Sequence, residues 1–144
     1  MDAFVEFGVI TPLPQRDEFD LVLEDALARD PKIERWIYSK IAGVSHRNDD
    51  GSSRQEELAQ CEALEQLILK WEPLNPVDNQ AVAVFRARSA VQLGYLNKRL
   101  AHDTLKRVRD GEKWGALFAR KRGGTQDRPT IGTSIVLIKL KENL

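Results

Sequence analysis

Trp71-Glu72-Pro73-Leu74-Asn75-Pro76-Val77-Asp78-Asn79-Gln80-Ala81-Val82-Ala83-Val84 decides how the chain is read. Before it, Leu67, Leu69 and Trp71 alternate with Gln66, Ile68, Lys70 and Glu72, the period of two that marks a strand. Pro73 cannot donate to a sheet ladder and stops that strand. Leu74 to Asn79 is dense in Asn, Pro and Asp, which form turns for local reasons. From Ala81 to Arg86 a short β-rich run resumes, so the stretch is strand, turn, strand.

Outward from this stretch the chain continues in short elements. Val91 to Leu96 reads as a third strand paired with Ala81 to Arg86, and Leu100, Ala101, Leu105 and Val108 mark one face of a helix closing near Gly111. Lys98, Arg99, Lys106, Arg107 and Arg109 make that helix the most basic element. A second hairpin comes next. Trp114, Ala116, Phe118 and Arg120 are expected on one face of its first strand, Lys121-Arg122-Gly123-Gly124 in its loop, and Ile135 to Leu140 in a nearly continuous apolar strand that should be central. Upstream, Trp36 to Ile41 alternates as a strand ending in Ala42-Gly43-Val44. A polar loop from Ser45 to Gly51 leads to Ser52 or Ser53, either of which can cap a helix running to about Cys61. Phe19, Val22, Leu23, Ala26 and Leu27 give residues 17–29 an amphipathic helix, which Asp30-Pro31 ends. A short apolar segment precedes it.

The expected fold class is therefore α+β: a small six-stranded β-barrel of OB-like or SH3-like type, with two inserted helices and a helical amino-terminal extension. The extension is placed at residues 1–35 and the barrel domain at 36–144. At 144 residues the chain can bury a core without metals or disulfides. The single cysteine, Cys61, cannot form an internal disulfide, and Met1 to Glu6 lack the basic start and apolar run of a secretion signal. The expected location is the cytoplasm, and no membrane partner is expected.

The formal net charge is zero, which by itself argues against binding phosphate backbones, but charge is divided along the chain. Residues 1–35 hold four basic and nine acidic residues, and residues 36–85 four and eight. Residues 86–128 hold twelve basic and four acidic residues. A local basic surface is compatible with this division, as is a merely solvated exterior.

No catalytic constellation stands out. Cys61 with His46 or His102 is a poor candidate for nucleophile and base, because a lone cysteine late in an amphipathic helix is more often a small core residue. No Gly-rich phosphate loop ending in Lys-Ser or Lys-Thr is present. The segment His46 to Glu57 imitates a calcium loop only in part, with histidine where the first oxygen ligand belongs and Arg54 at the ninth position. The chain is expected to be no enzyme and to need no metal or cofactor.

Ile41-Ala42-Gly43-Val44-Ser45, the Trp71 to Val84 stretch and Leu93-Gly94-Tyr95-Leu96, in this order, resemble the HIRAN domain, over roughly residues 41–140 and in its bacterial stand-alone form. The resemblance implies a modified OB-like barrel that captures single-stranded DNA, in the eukaryotic branch by a free 3′-hydroxyl end, in DNA repair or replication. The pocket it implies falls on Ser45, His46 and Arg47, on Asn75, Val77 and Asp78, and on Tyr95 and Lys98. Arg99, Lys121 and Arg122 join these as basic candidates for phosphate contact. Asp78 could accept a bond from a terminal hydroxyl, Lys98 could meet phosphate, and His46 or Tyr95 could stack on a base. His46 and Val77 stand where the eukaryotic pocket carries aromatic residues. The alternative expectation is a protein-interaction adaptor that docks a partner on residues 17–29 through exposed Phe19, Val22 and Leu23. A third is that this acidic segment covers the basic surface and competes with DNA.

Overall fold

A computed structural model of the chain describes residues 17–142. It contains α1 (Glu18–Arg29), β1 (Ile33–Ala42), α2 (Arg54–Gln60), β2 (Gln66–Glu72), β3 (Ala81–Arg86), β4 (Gln92–Leu96), α3 (Lys98–Arg109), β5 (Lys113–Gly123) and β6 (Ile131–Leu140). The apolar segment expected before Asp17 lies outside the described residues. The six strands are antiparallel neighbours throughout and close as a barrel in the order β1-β4-β3-β2-β5-β6. Among the described residues no helix is long and apolar enough to cross a membrane.

β2 and β3 are joined as a hairpin with an uninterrupted register from Leu67↔Arg86 to Glu72↔Ala81. β6 is paired on both edges, with β1 and β5, which explains its near-continuous apolar run. Ile135 and Leu137 point into the barrel with Leu58, Val84, Leu93 and Phe118. Val136 and Ile138 point outward and are covered by Leu23 and Leu27 of α1.

That covering corrects the adaptor expectation. Leu23 is buried and Phe19 is half-buried against the barrel, so most of the apolar stripe of α1 is spent within the chain, leaving Leu21 and Val22 exposed. Asp17 caps the helix by accepting from the Asp20 N–H.

Four further expectations are corrected. β1 begins at Ile33, ahead of Trp36, because Ile33 pairs with Leu140 and packs under α1 although charged Glu34 and Arg35 come directly after it. Lys121 and Arg122 are not in a loop but in β5, opposite Thr133 and Gly132. Arg120 does not share the inner face of Ala116 and Phe118. The register shifts between Phe118 and Arg120, and a one-residue bulge moves Arg120 to the other face of the strand. Arg120 thus lies over the Phe19 ring, 4.6 Å from its centroid, and its Nη1 is 2.6 Å from Asp17 Oδ2. On α3, Val108 is exposed, and Thr104 takes a buried place beside Ala101 and Leu105.

Candidate nucleic-acid interface

One end of the barrel carries a cavity of about 560 Å³ between the end of β1, the start of α2, the β2–β3 turn and the start of α3. His46, Asn75, Val77, Asp78, Tyr95 and Lys98 all line it. Ser45, Arg47, Arg99, Lys121 and Arg122 do not. Ser45 is exposed beside the cavity, and Arg47 folds back to donate to the Gly51 carbonyl. Arg99 lies on the opposite flank of α3, Lys121 donates to the Ala59 carbonyl, and Arg122 to Ser134 Oγ.

The β2–β3 turn is braced from within. Asn75 Oδ1 accepts from the backbone N–H groups of Val77 and Asp78, at 2.9 and 3.1 Å, while its Nδ2 donates to Glu72 Oε1. Glu72 Oε1 also accepts from the Tyr95 hydroxyl at 2.9 Å, tying β4 to the same turn. Asn75 is therefore a brace whose hydrogen-bonding groups are occupied, and Val77 is the residue it presents, 92% exposed at the rim.

Across the cavity stands a residue that sequence reasoning used only to argue against calcium. Arg54, the first residue of α2, is buried: its Nε donates to Asn48 Oδ1 at 2.6 Å and its Nη1 to the Gly43 carbonyl at 2.8 Å. Its guanidinium lies 5.7 Å from the centroid of the Tyr95 ring. Ser53 caps this helix by accepting from the Glu56 N–H, which starts the helix with Arg54 directed inward. No periodicity could have shown this, because a seven-residue helix has barely two turns. Gly43 adopts φ +73°, and a Cβ there would come within 3.2 Å of Arg54 Nη1. The glycine thus makes room for the arginine.

His102, which is not among the lining residues, was likewise not foreseen beside Asp78. Its Nε2 is 3.0 Å from Asp78 Oδ2, so α3 is pinned to the turn. The Gln80 backbone N–H and His102 beside Asp78 hold its carboxyl below the usual carboxylate range, with Lys98 adding to the effect. A depressed native value gives stability that is present above the ordinary carboxylate value and lost as pH falls through the native one. In a carbon-detected NMR titration Asp78 is expected to have a midpoint below 3.8. Replacing His102 with glutamine should move that midpoint upward, and an unchanged midpoint would contradict the pairing.

Burial pushes the Cys61 thiol up to about 11, so it stays protonated at neutral pH and is no nucleophile. Within the calcium-like segment from His46 to Glu57, Asn48 accepts from Arg54 and Asp50 from Ser52.

The shape of this frame has known counterparts. The HIRAN domain of human HLTF superposes with a TM-score of 0.56 over 78% of this chain and 80% of its own, at 13% identity. The fold is HIRAN-like. A protein from Lactobacillus plantarum shares the HIRAN-like frame equally well, with a TM-score of 0.56 over 73% of this chain and 92% of its own, at 15% identity. No family model matches the sequence, and no curated protein matches it. At such identities the HIRAN-like backbone is shared while nearly all side chains differ.

Proposed function

We propose that the chain is a non-catalytic nucleic-acid-binding module that receives single-stranded DNA, entering by an end, in the cavity between β1, the β2–β3 turn and α3. The closed sheet is then an OB-like barrel with its ligand at one mouth, suited to DNA repair or replication. The observation that carries this is convergence: six residues named from separate parts of the sequence line one cavity. The cavity offers a base a surface in Tyr95 and the exposed His46, a phosphate a cation in Lys98, and a terminal hydroxyl an acceptor in Asp78.

Val77 limits the affinity. Stacking on an aromatic ring contributes about 1–3 kcal/mol per base, and an aliphatic side chain provides little of it. Val77→Tyr is expected to tighten binding of a single-stranded oligonucleotide by roughly tenfold or more, measured by fluorescence anisotropy. Labelled strands with a free 3′-hydroxyl, a 3′-phosphate or a closed circle test the reading itself. Preference for the free hydroxyl supports end capture, equal binding leaves strand binding alone, and failure of all three at low salt rejects the proposal.

A further inference from the structure

Arg54 and Arg86 are the buried cations among the described residues, 8% and 7% exposed, and their surroundings differ in one respect. Arg86 is neutralised from within the chain by the carboxylates of Glu57 and Glu65. Arg54 makes no ion pair among the described residues. Its Nε and Nη1 bonds go to two neutral oxygens, the Asn48 side-chain oxygen and the Gly43 carbonyl, and its Nη2 has no hydrogen-bond partner there. The Tyr95 ring, 5.7 Å away, attracts the cation without cancelling its charge. A charge taken out of water is costly unless it is paired. A buried guanidinium with a free edge therefore marks a place for an anion from outside the chain.

The side from which that anion arrives follows from the neighbouring charges. Arg54 and Tyr95 form a wall shared by two hollows. One, of about 320 Å³, carries Asp49 and Asp50 and repels an anion. The other is the cavity of about 560 Å³ described above. There the exposed Lys98 adds a second cation, and Asp78, the one carboxylate among the lining residues, is already partnered by His102 and by the Gln80 N–H.

We infer that Arg54 anchors a phosphodiester subsite in the back wall of this cavity, holding the internucleotide linkage next to the strand end with its free Nη2 while Tyr95 carries the adjoining base. This rests on the proposed function, since the phosphate belongs to the strand received there. A phosphodiester carries one negative charge, which matches one buried cation. A terminal phosphate carries about −1.5 to −2 at neutral pH and would set the excess against Asp78. The planar guanidinium also fits phosphate oxygens in a way that the ammonium of Lys98 does not.

The test neutralises one linkage at a time. Thymidine oligonucleotides of about six nucleotides, within the site size of an OB-like fold, would each carry one uncharged methylphosphonate in place of a phosphodiester and be titrated against the full chain by anisotropy. The linkage adjoining one end is expected to cost about tenfold or more in affinity, and every other linkage less than about threefold. Arg54→Gln retains a donor but no charge, and should erase that peak, whereas Arg54→Lys should keep part of it. The wild-type scan stands without either variant, should the glutamine protein fail to fold. A flat wild-type profile, or a peak unchanged in folded Arg54→Gln, overturns the subsite and leaves strand binding in place. A terminal phosphate that tightens binding and abolishes the peak moves the anion to the strand end and overturns the phosphodiester assignment. Failure of the unmodified strand to bind at low salt overturns the proposed function and this inference with it.

Discussion

Arg86→Met is expected to lower the unfolding free energy by about 3–5 kcal/mol, a large part of what a domain of this size has in total. Arg86 is buried at the end of β3, with Nε 2.7 Å from Glu65 Oε1 and Nη1 2.9 Å from Glu57 Oε2. Its Nη2 donates to the Gln60 carbonyl. Removing the cation leaves the Glu65 carboxylate, whose side chain is 2% exposed, with no buried countercharge. Urea melts should show the loss as a lower midpoint with an unchanged slope, and a loss under about 1 kcal/mol would contradict the pairing. Adding Glu65→Gln should recover part of it, because a pair replaced at both ends costs less than one broken at one end.

The same network sets an acid limit. Burial opposes the Glu65 carboxylate, yet the bonds from Arg86 prevail and hold it below the usual range, and Arg86 and Ser89 do so for Glu57. Both depressed values mean stability that is complete above about pH 4.3 and is lost as pH falls through the native values. The network also reaches the candidate interface. Glu57 lies on α2, the helix that begins with Arg54, so loosening Arg86 loosens the back wall of the cavity.

Gly94→Ala is expected to cost about 2–6 kcal/mol and to abolish strand binding, combining backbone strain with overpacking. Gly94 has φ +153°, and a Cβ there would lie 2.3 Å from the Ala42 carbonyl oxygen and 2.5 Å from Ile41 Cγ2. β1 and β4 join through only two register pairs, Ile41↔Leu96 and Ala42↔Tyr95, so the clash falls on the joint that brings Ala42 and Gly43 up to Tyr95. Thermal melting together with oligonucleotide anisotropy checks this. A variant within about 0.5 kcal/mol of wild type that still binds would refute the close approach.

The elements legible in the sequence were those whose signal is local. The alternation of Leu67, Leu69 and Trp71, the Asn75-Pro76 turn and the apolar run from Ile135 all fold as read, because each burial pattern has a simple period. Six candidate residues were legible through the resemblance and share one cavity. The features that escaped depend on long-range geometry. The bulge that turns Arg120 toward α1 arises from pairing with β6, and nothing in Ala119-Arg120-Lys121 announces it. Arg54 entered the sequence reading only as a poor ninth calcium ligand and His102 only as a poor base for Cys61, because nothing local shows that the closed sheet brings Gly43 and Asp78 against them. Arg99, Lys121 and Arg122 were gathered by charge alone, and charge along a chain says little about direction in space.

Two of the six joints in the ring are short: β1–β4 and β2–β5 each rest on two register pairs, whereas β5–β6 has ten. The ring is thus two three-stranded ribbons, β2-β3-β4 and β5-β6-β1, buttoned along two narrow seams. The candidate cavity straddles one of them, with Ala42 and Gly43 on one ribbon and Tyr95 and Leu96 on the other. Gln55 helps fasten the β6–β1 ribbon to α2 by bonding to Ile131 and to the Val44 carbonyl. A ligand lodged at that seam grips both ribbons at once, so its arrival would slow their parting: the amides of Ala42 and Tyr95 would gain protection from deuterium while those deep in β6 barely change.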